Sequence, residues 1–462
     1  MNDVPHDAGL DDLQRGLRMS APPDPSHIAR ESRWLDELDR QPLHRRLRGW
    51  LSLSGPGYLQ SALTLGAGTA TTALFSGAVF GYALLWVAPV AMALGVAMLS
   101  AIAHQTLSTG MRPLPAMSRF AGAPFAGAWA ASSLLASIVW HVPQYNLAAN
   151  SVVDLCAVAG LAGVPAIAAS PLLLAAAIWL SWSYGASPRL VRRYEQFCKW
   201  LIWATVLCLL WVVIHTHTDW RALFAGFVPS LPADRGEHSA IEMVTSGLAA
   251  AVGVNMVFLY PYSLLARGWG RSHRGLAKCD LVCGMLLPYA LATSLMTVAA
   301  ANTLHGEEVV AKGAAIQQMG MVLGSVLGQT AGRVVFDLGM LAMAFSTISL
   351  HMLVCGFVAM EWFQCPVGSR AYRAFTLLPA PAALAPAVFP SVPVWLAVPT
   401  NIACGLLLPV TYVGFFVLQR SRAYLGVDRL QGLRAFCWLV VMGLAIAVPI
   451  VSIGYYAIAR WL

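Results

Sequence analysis

Eleven apolar runs constrain this chain more than any other feature. They lie near residues 55–79, 82–105, 124–149, 168–186, 194–215, 242–267, 279–303, 331–361, 374–390, 393–418 and 435–459. A helix that crosses a bilayer needs about 20 mostly apolar residues. Inside hydrocarbon each backbone amide must be paired within the protein, so such runs become helices. Only 11% of the 462 residues are charged, against about 25% in a soluble globular protein. The chain therefore reads as an all-α polytopic membrane protein with about 11 transmembrane helices. The ninth run is short and carries Pro379, Pro381, Pro386 and Pro390, so its limits are the least defined.

The charges between the runs set the orientation. With the N-terminus inside, 24 of the 29 Lys and Arg fall on the inner side, eight of them in residues 1–49. This is the asymmetry expected of cytoplasmic loops, so the excess of +8 marks topology and no nucleic acid is expected as a partner. The partners expected are the lipid bilayer and a small solute or cation; the oligomeric state stays open. Residues 1–49 read as a cytoplasmic tail with no cleavable leader, and Ile28 to Leu51 as a basic amphipathic helix on the membrane surface. The chain is expected in the cell (plasma or inner) membrane. The nine cysteines show no Cys-x-x-Cys and no zinc spacing. No nucleophile–base pair or phosphate loop appears: Gly66-Ala-Gly-Thr lacks the lysine and the strand–helix setting. Neither catalysis nor a cofactor is expected, and energy would come from an ion gradient or downhill flow.

Two runs are interrupted. The first carries Gly66-Ala67-Gly68-Thr69, where two glycines weaken a helix by roughly 1 kcal/mol each relative to alanine. The sixth carries Gly253, Asn255 and Pro261. The longest outer connection, 216–241, falls between runs five and six. The chain thus divides into a tail (1–49), a first repeat (50–215), the outer loop (216–241), a second repeat (242–418), and an eleventh span with the C-terminus (419–462). The first span of each repeat is broken, which points to an inverted-repeat transporter with its site at the midplane.

At these residues the chain resembles the Nramp family of divalent-metal transporters. The likeness rests on Gly55-Pro-Gly-Tyr-Leu-Gln-Ser with the Gly66 break, Gly77-Ala-Val-Phe-Gly-Tyr-Ala-Leu-Leu-Trp86, Arg192-Arg-Tyr-Glu-Gln, Ala299-Ala-Ala-Asn-Thr-Leu-His-Gly, and Phe345-Ser-Thr-Ile-Ser with Gly356-Phe-Val-Ala-Met-Glu361. It runs in order from about residue 50 to 420. It implies a LeuT-like fold, a five-plus-five inverted repeat, and proton-coupled metal uptake. The ligand motifs depart from the family. Where its first span has Asp-Pro-Gly-Asn, this chain has Gly66, Ala67, Gly68 and Thr69. Where its sixth has Met-Pro-His-Asn, this chain has Asn255, Met256, Val257 and Phe258. A register one residue away puts Met256 in the ligand position instead.

The remaining ligand candidates are neutral: Thr64, Thr69, Thr71, Thr72, Asn255, Tyr260, Ser263 and carbonyls freed by the breaks. A divalent ion in a low-dielectric site without a charged ligand is poorly compensated for its lost water. The set suits a hydrated cation, an alkali ion or a polar neutral solute better than dehydrated Mn²⁺ or Fe²⁺. The reading is a secondary transporter of a cation, with proton coupling open. The alternatives are transport of a non-metal polar solute, and a sensory or binding protein on the same scaffold.

Ionisable and polar groups inside spans are functional candidates by default. His141 in Trp140-His-Val-Pro-Gln-Tyr-Asn146, with Gln144 and Asn146, and His351 near Ser346, Thr347 and Ser349, are read as a polar or proton pathway. Asp337 and Glu361 flank the eighth run, Asp154 marks an outer boundary, and Glu195 with Arg192 and Arg193 pins the inner end of span five. The loop His215-Thr-His217-Thr-Asp219 is a weak metal candidate.

Overall fold

The computed structural model describes residues 17, 19, 22–184, 188–306, 329–389 and 394–461. Among the described residues the regular secondary structure is helical, with loops between the helices and an isolated bridge between Arg235 and His238. The tail forms α1 (Pro25–Leu38) and α2 (Leu43–Leu53). Asp24 caps α1 by accepting the Ser26 N–H at 2.9 Å, and Pro25 supplies a first residue that needs no amide partner. Leu35 and Leu38 are buried on α1, and Trp50 on α2.

The first broken span is α3 (Pro56–Thr64) followed by α4 (Ala67–Phe80), bent by 59° at Leu65–Gly66. Then come α5 (Val87–Thr109), α6 (Ala123–Val158), α7 (Ser170–Ser183) and α8 (Pro188–His215). The sixth span is α9 (Ala240–Ala251) and α10 (Val254–Ala266), interrupted at Val252–Gly253, where both residues are extended. A short helix, Arg274–Leu281, and a π-helical turn, Val282–Leu286, lead into α11 (Leu287–Leu304). The rest is α12 (Gln329–Trp362), α13 (Ala397–Gly405), α14 (Leu408–Arg420) and α15 (Gly432–Trp461).

Among the described residues nine helical stretches are long and apolar enough to cross a membrane, and the bent pair α3–α4 makes a tenth. The expected ninth span, 374–390, is not one helix. It is Arg370–Thr376, a 3₁₀ turn at Ala380–Leu384 and one turn at Ala385–Val388. Pro379, Pro381 and Pro386 remove the amide donors a continuous helix requires. Pro390 lies outside the described residues.

Both breaks are shorter than the sequence suggested and sit at its near edge. Ala67 to Thr69 already form the first turn of α4, and Asn255 to Phe258 the first turn of α10. The breaks touch: Thr64, the last residue of α3, donates through Oγ1 to the carbonyls of Ala250 (2.9 Å) and Ala251 (3.0 Å), the last residues of α9. A helix end leaves its final carbonyls without intrahelical donors. Here the hydroxyl of one break serves the carbonyls of the other. The carbonyls near the end of α3 receive Ser346 Oγ (3.0 Å to Ala62 O) and Thr347 Oγ1 (3.3 Å to Leu63 O) from α12.

At the end of the bundle that carries the tail, hydrogen bonds and buried ion pairs tie several helices together. Asp280 accepts the Gly55 N–H at 2.9 Å, the Gly57 N–H at 2.5 Å and the Ser54 hydroxyl, and so caps α3. Two ion pairs are buried there, Arg267–Glu195 at 3.4 Å and Arg112–Glu361 at 3.2 Å. Tyr262 donates to the other oxygen of Glu361 at 2.9 Å. At the opposite end Arg333 of α12 pairs with Asp154 of α6 through both oxygens. Glu195 was expected to pair with Arg192 and Arg193; its ion pair is instead with Arg267 of the following repeat, and Arg192 lies 3.9 Å from Glu31 of the tail.

Candidate functional site

Where the breaks meet, seven helices and both breaks line a polar cavity with about 40 Å³ open to water. A bound water needs about 10–15 Å³ of such space, so the cavity holds about three. Leu63 and Thr64 reach it from α3, Gly66 from the first break, and Gly68 and Thr69 from α4. Trp140 and Gln144 come from α6, and Ala249 and Ala250 from α9. Gly253, Asn255 and Met256 line it at the second break. Thr347 and His351 of α12 and Asn401 of α13 complete the wall.

The glycines are required by space. Neither has positive φ, but a Cβ on Gly66 would lie 2.7 Å from Thr347 Oγ1 and 2.8 Å from Gln144 Nε2. On Gly68 it would lie 2.2 Å from the Trp140 ring and 2.4 Å from Asn401 Oδ1. Close approach of side chains from α6, α12 and α13 is what the missing Cβ atoms allow. Gln144 then accepts the Ala67 N–H at 3.0 Å, one of the orphan donors at the start of α4. Asn401 donates to Gly68 O (3.2 Å), Thr72 Oγ1 (3.1 Å) and Ser246 Oγ (2.8 Å). At the second break the Gly253 N–H points to Met256 Sδ at 3.4 Å, and Asn255 Oδ1 accepts the Met256 N–H at 2.9 Å.

Two wall residues keep an unused polar atom. Asn401 Oδ1 and His351 Nδ1 are buried with no hydrogen-bond partner in the protein. Buried polar atoms are nearly always paired, and one that is not calls for water, an ion or a role. Behind the wall, His141 packs on His351 with ring centroids 5.3 Å apart. Its Nδ1 lies 2.9 Å from Ser137 O, and its Nε2 is also unpartnered. On the tail side of the cavity four aromatic rings pack in a row. Trp129 lies 4.8 Å from Phe258, which stacks on Tyr262 at 5.0 Å, which stacks on Phe357 at 5.6 Å.

Of the residues expected at the site, Gly66, Gly68, Thr69, Asn255, Met256, Gln144 and His351 line the cavity. Ala67 contributes its amide to Gln144 and does not line it. Tyr260 points elsewhere, its hydroxyl 3.5 Å from Ala277 O. Helical geometry after Val254 carries it a full turn past Met256 toward the tail. Asn146 is buried but not in the wall, and its carbonyl accepts the Asn150 amide at 2.8 Å. Thr71 and Ser263 are also absent from the wall; Ser263 turns its hydroxyl back to Tyr260 O at 2.6 Å. The His215–Asp219 loop does not gather ligands: Asp219 caps the helix Trp220–Ala225 and His215 turns to Trp211 O. Among the described residues no cluster of three His, Cys, Asp or Glu is placed to hold a metal. Asn401, Trp140 and Ser246 were not anticipated. A lone asparagine inside the apolar run 393–418 was the available signal for the first.

Paired broken spans around a buried polar cavity define a membrane transporter of the inverted-repeat kind. The family model described as natural resistance-associated macrophage protein-like (Nramp) matches residues 57–459. The chain belongs to the Nramp family of membrane metal-ion transporters. It is 24% identical over 419 residues to a divalent metal cation transporter, MntH, of Acidiphilium cryptum (strain JF-5), covering 86% of this chain and 90% of that protein. Its fold is similar to the Eremococcus coleocola manganese transporter, with TM-score 0.72, 15% identity and 90% of each chain covered. It is also similar to Mhp1, a nucleobase-cation-symport-1 family transporter, with TM-score 0.55, 11% identity, and 87% and 92% of the two chains covered. The architecture is thus the LeuT-like, five-plus-five arrangement.

Proposed function

We propose that this protein is a secondary transporter whose cation site contains no carboxylate. The observation that supports this is the cavity at the two breaks, whose described wall offers only hydroxyl, amide, thioether, imidazole and carbonyl groups. Asn401 Oδ1 and His351 Nδ1 are the acceptors left open for a bound ion or its water. Room for about three waters suits an ion that keeps part of its shell. Imidazole and thioether donors favour the later first-row metals over Mn²⁺, which stands at the weak end of the affinity order. His351 and His141 form the polar pathway next to the ion, with Gln144 at the hinge of α4.

The tail side is read as cytoplasmic, because 24 of 29 basic residues gather there. In this conformation the aromatic stack and the ion pairs of Arg112 and Arg267 tie the helices together on that side. The domain division at 50–215 and 242–418 follows from the same reading. The test is metal uptake into sealed vesicles with and without an imposed proton gradient. Saturable uptake of a divalent ion, weakened by His351→Ala and Asn401→Leu, is expected. Uptake at the empty-vesicle rate for every ion tried would overturn the reading.

A further inference from the structure

The tail helices present a surface that the transport site does not use. On α2, Leu43, Leu47 and Leu51 recur every fourth residue and are exposed, forming one apolar stripe. The helix carries Arg45, Arg46 and Arg48 and no acid. Arg48 is exposed beside the stripe, and Arg45 is exposed on the polar face turned away from it. The edge of the stripe next to Leu43 is docked on the protein: Trp50 is buried, and a Cβ on Gly275 would lie 3.0 Å from its ring. Gly49 packs under Leu38 of α1. Only Ser54 and Gly55 separate α2 from α3, so α2 lies at the level where the first span enters the membrane.

We propose that α2 binds the surface of an anionic lipid leaflet and that this contact holds the tail as a clamp on the transport domain. An apolar stripe on a helix whose remaining exposed face is basic is the composition of a helix that lies in the headgroup layer. Basic residues beside a span favour anionic lipid. The clamp has three further anchors. Arg267, at the end of α10, donates to Leu53 O at 2.8 Å. Glu31 of α1 meets His273 Nε2 at 3.2 Å and lies 3.9 Å from Arg192 of α8. Burial alone would push the Glu31 carboxyl up, but the His273 hydrogen bond and the fields of Arg267, His273 and Arg192 hold it below the usual range. Ile28 of α1 fills the space above Gly268. The tail therefore bridges α8, α10 and the loop that follows α10. Opening of the cavity toward the tail requires those elements to separate, and lipid-bound α2 opposes it.

The inference does not depend on which ion is carried. The experiment is hydrogen–deuterium exchange of the full chain in vesicles of phosphatidylcholine alone and with phosphatidylglycerol added. Residues 43–53 and 271–275 should exchange about tenfold more slowly in the anionic vesicles. The Arg45→Gln, Arg48→Gln double variant should lose that difference, while exchange within α12 stays unchanged as the control of fold. Leu47→Ser should lose it as well, through the apolar stripe. Equal exchange in both lipids would overturn the proposal. So would protection that follows protein concentration instead of lipid charge, which would mean a second copy covers the stripe.

Discussion

Restoring one negative charge to the cavity should restore tight divalent binding, and Gln144→Glu is the substitution that does so with least disturbance. Gly66→Asp, the replacement an alignment suggests, would place its Cβ 2.7 Å from Thr347 Oγ1 and 2.8 Å from Gln144 Nε2, so failure could reflect packing alone. Glutamate keeps the length of Gln144 and keeps an oxygen for the Ala67 N–H, now 3.0 Å away. With about 40 Å³ open, an ion in the cavity lies roughly 4–5 Å or less from the new carboxylate, contact distance included. A −1/+2 pair at that separation gains about 7 kcal/mol at an effective dielectric near 20. Burying the carboxylate offsets several kcal/mol of this. A net of about 2–4 kcal/mol remains, or roughly one and a half to three decades in Kd. The assay is isothermal titration of Mn²⁺ into purified wild type and Gln144→Glu at neutral pH, repeated at acid pH, where protonation of the new carboxyl should remove the gain. An unchanged Kd in a variant of wild-type thermal stability would refute the electrostatic reasoning.

Thr64→Val keeps the shape of the residue but removes the hydroxyl that joins the breaks, leaving the Ala250 and Ala251 carbonyls short of a donor. A loss of about 1–3 kcal/mol is expected, read as a lower Tm in detergent. Gly68→Ala should be worse than its single methyl suggests, because the Cβ meets the Trp140 ring at 2.2 Å. Overpacking of about 1–3 kcal/mol together with loss of metal-induced thermal stabilisation is the expected outcome, and unaltered metal binding would argue against the wall described.

The sequence carried most of the architecture because lipid leaves so few choices. Run length and glycine interruption placed α5, α7 to α10 and α12 to within about six residues, while α6 runs on to Val158, past the expected 149, and α11 proper begins at Leu287, after a short helix and a π-helical turn where the run began at 279. What it did not carry was where each helix restarts. Glycines at 66 and 68 suggested unwinding through Thr69, yet only Leu65 and Gly66 leave the helix, because Gln144 satisfies the amide of Ala67 and lets α4 begin at once. The same early restart at Val254 moves Tyr260 away from the cavity. Asn401 was hidden for another reason: it lies in a run with no glycine break, and its hydrogen bonds join α4 to α9 across more than 150 residues of sequence. Asp280 reads as an ordinary residue at a span boundary, and its capping of α3 appears only once Gly55 and Gly57 are brought against it.

The central claim is that this Nramp protein holds its cation without a carboxylate, and Mn²⁺ affinity tests it most directly. Against the Nramp motif the cavity lacks the aspartate, at Gly66, while Met256 still offers a thioether in the wall, and removal of a charged partner from a buried site costs on the order of 3–5 kcal/mol. Isothermal titration of Mn²⁺ into the purified wild-type protein should therefore show a dissociation constant of about 0.1–10 mM, roughly two to four decades above a micromolar site. Micromolar Mn²⁺ binding that His351→Ala and Asn401→Leu leave intact would contradict it.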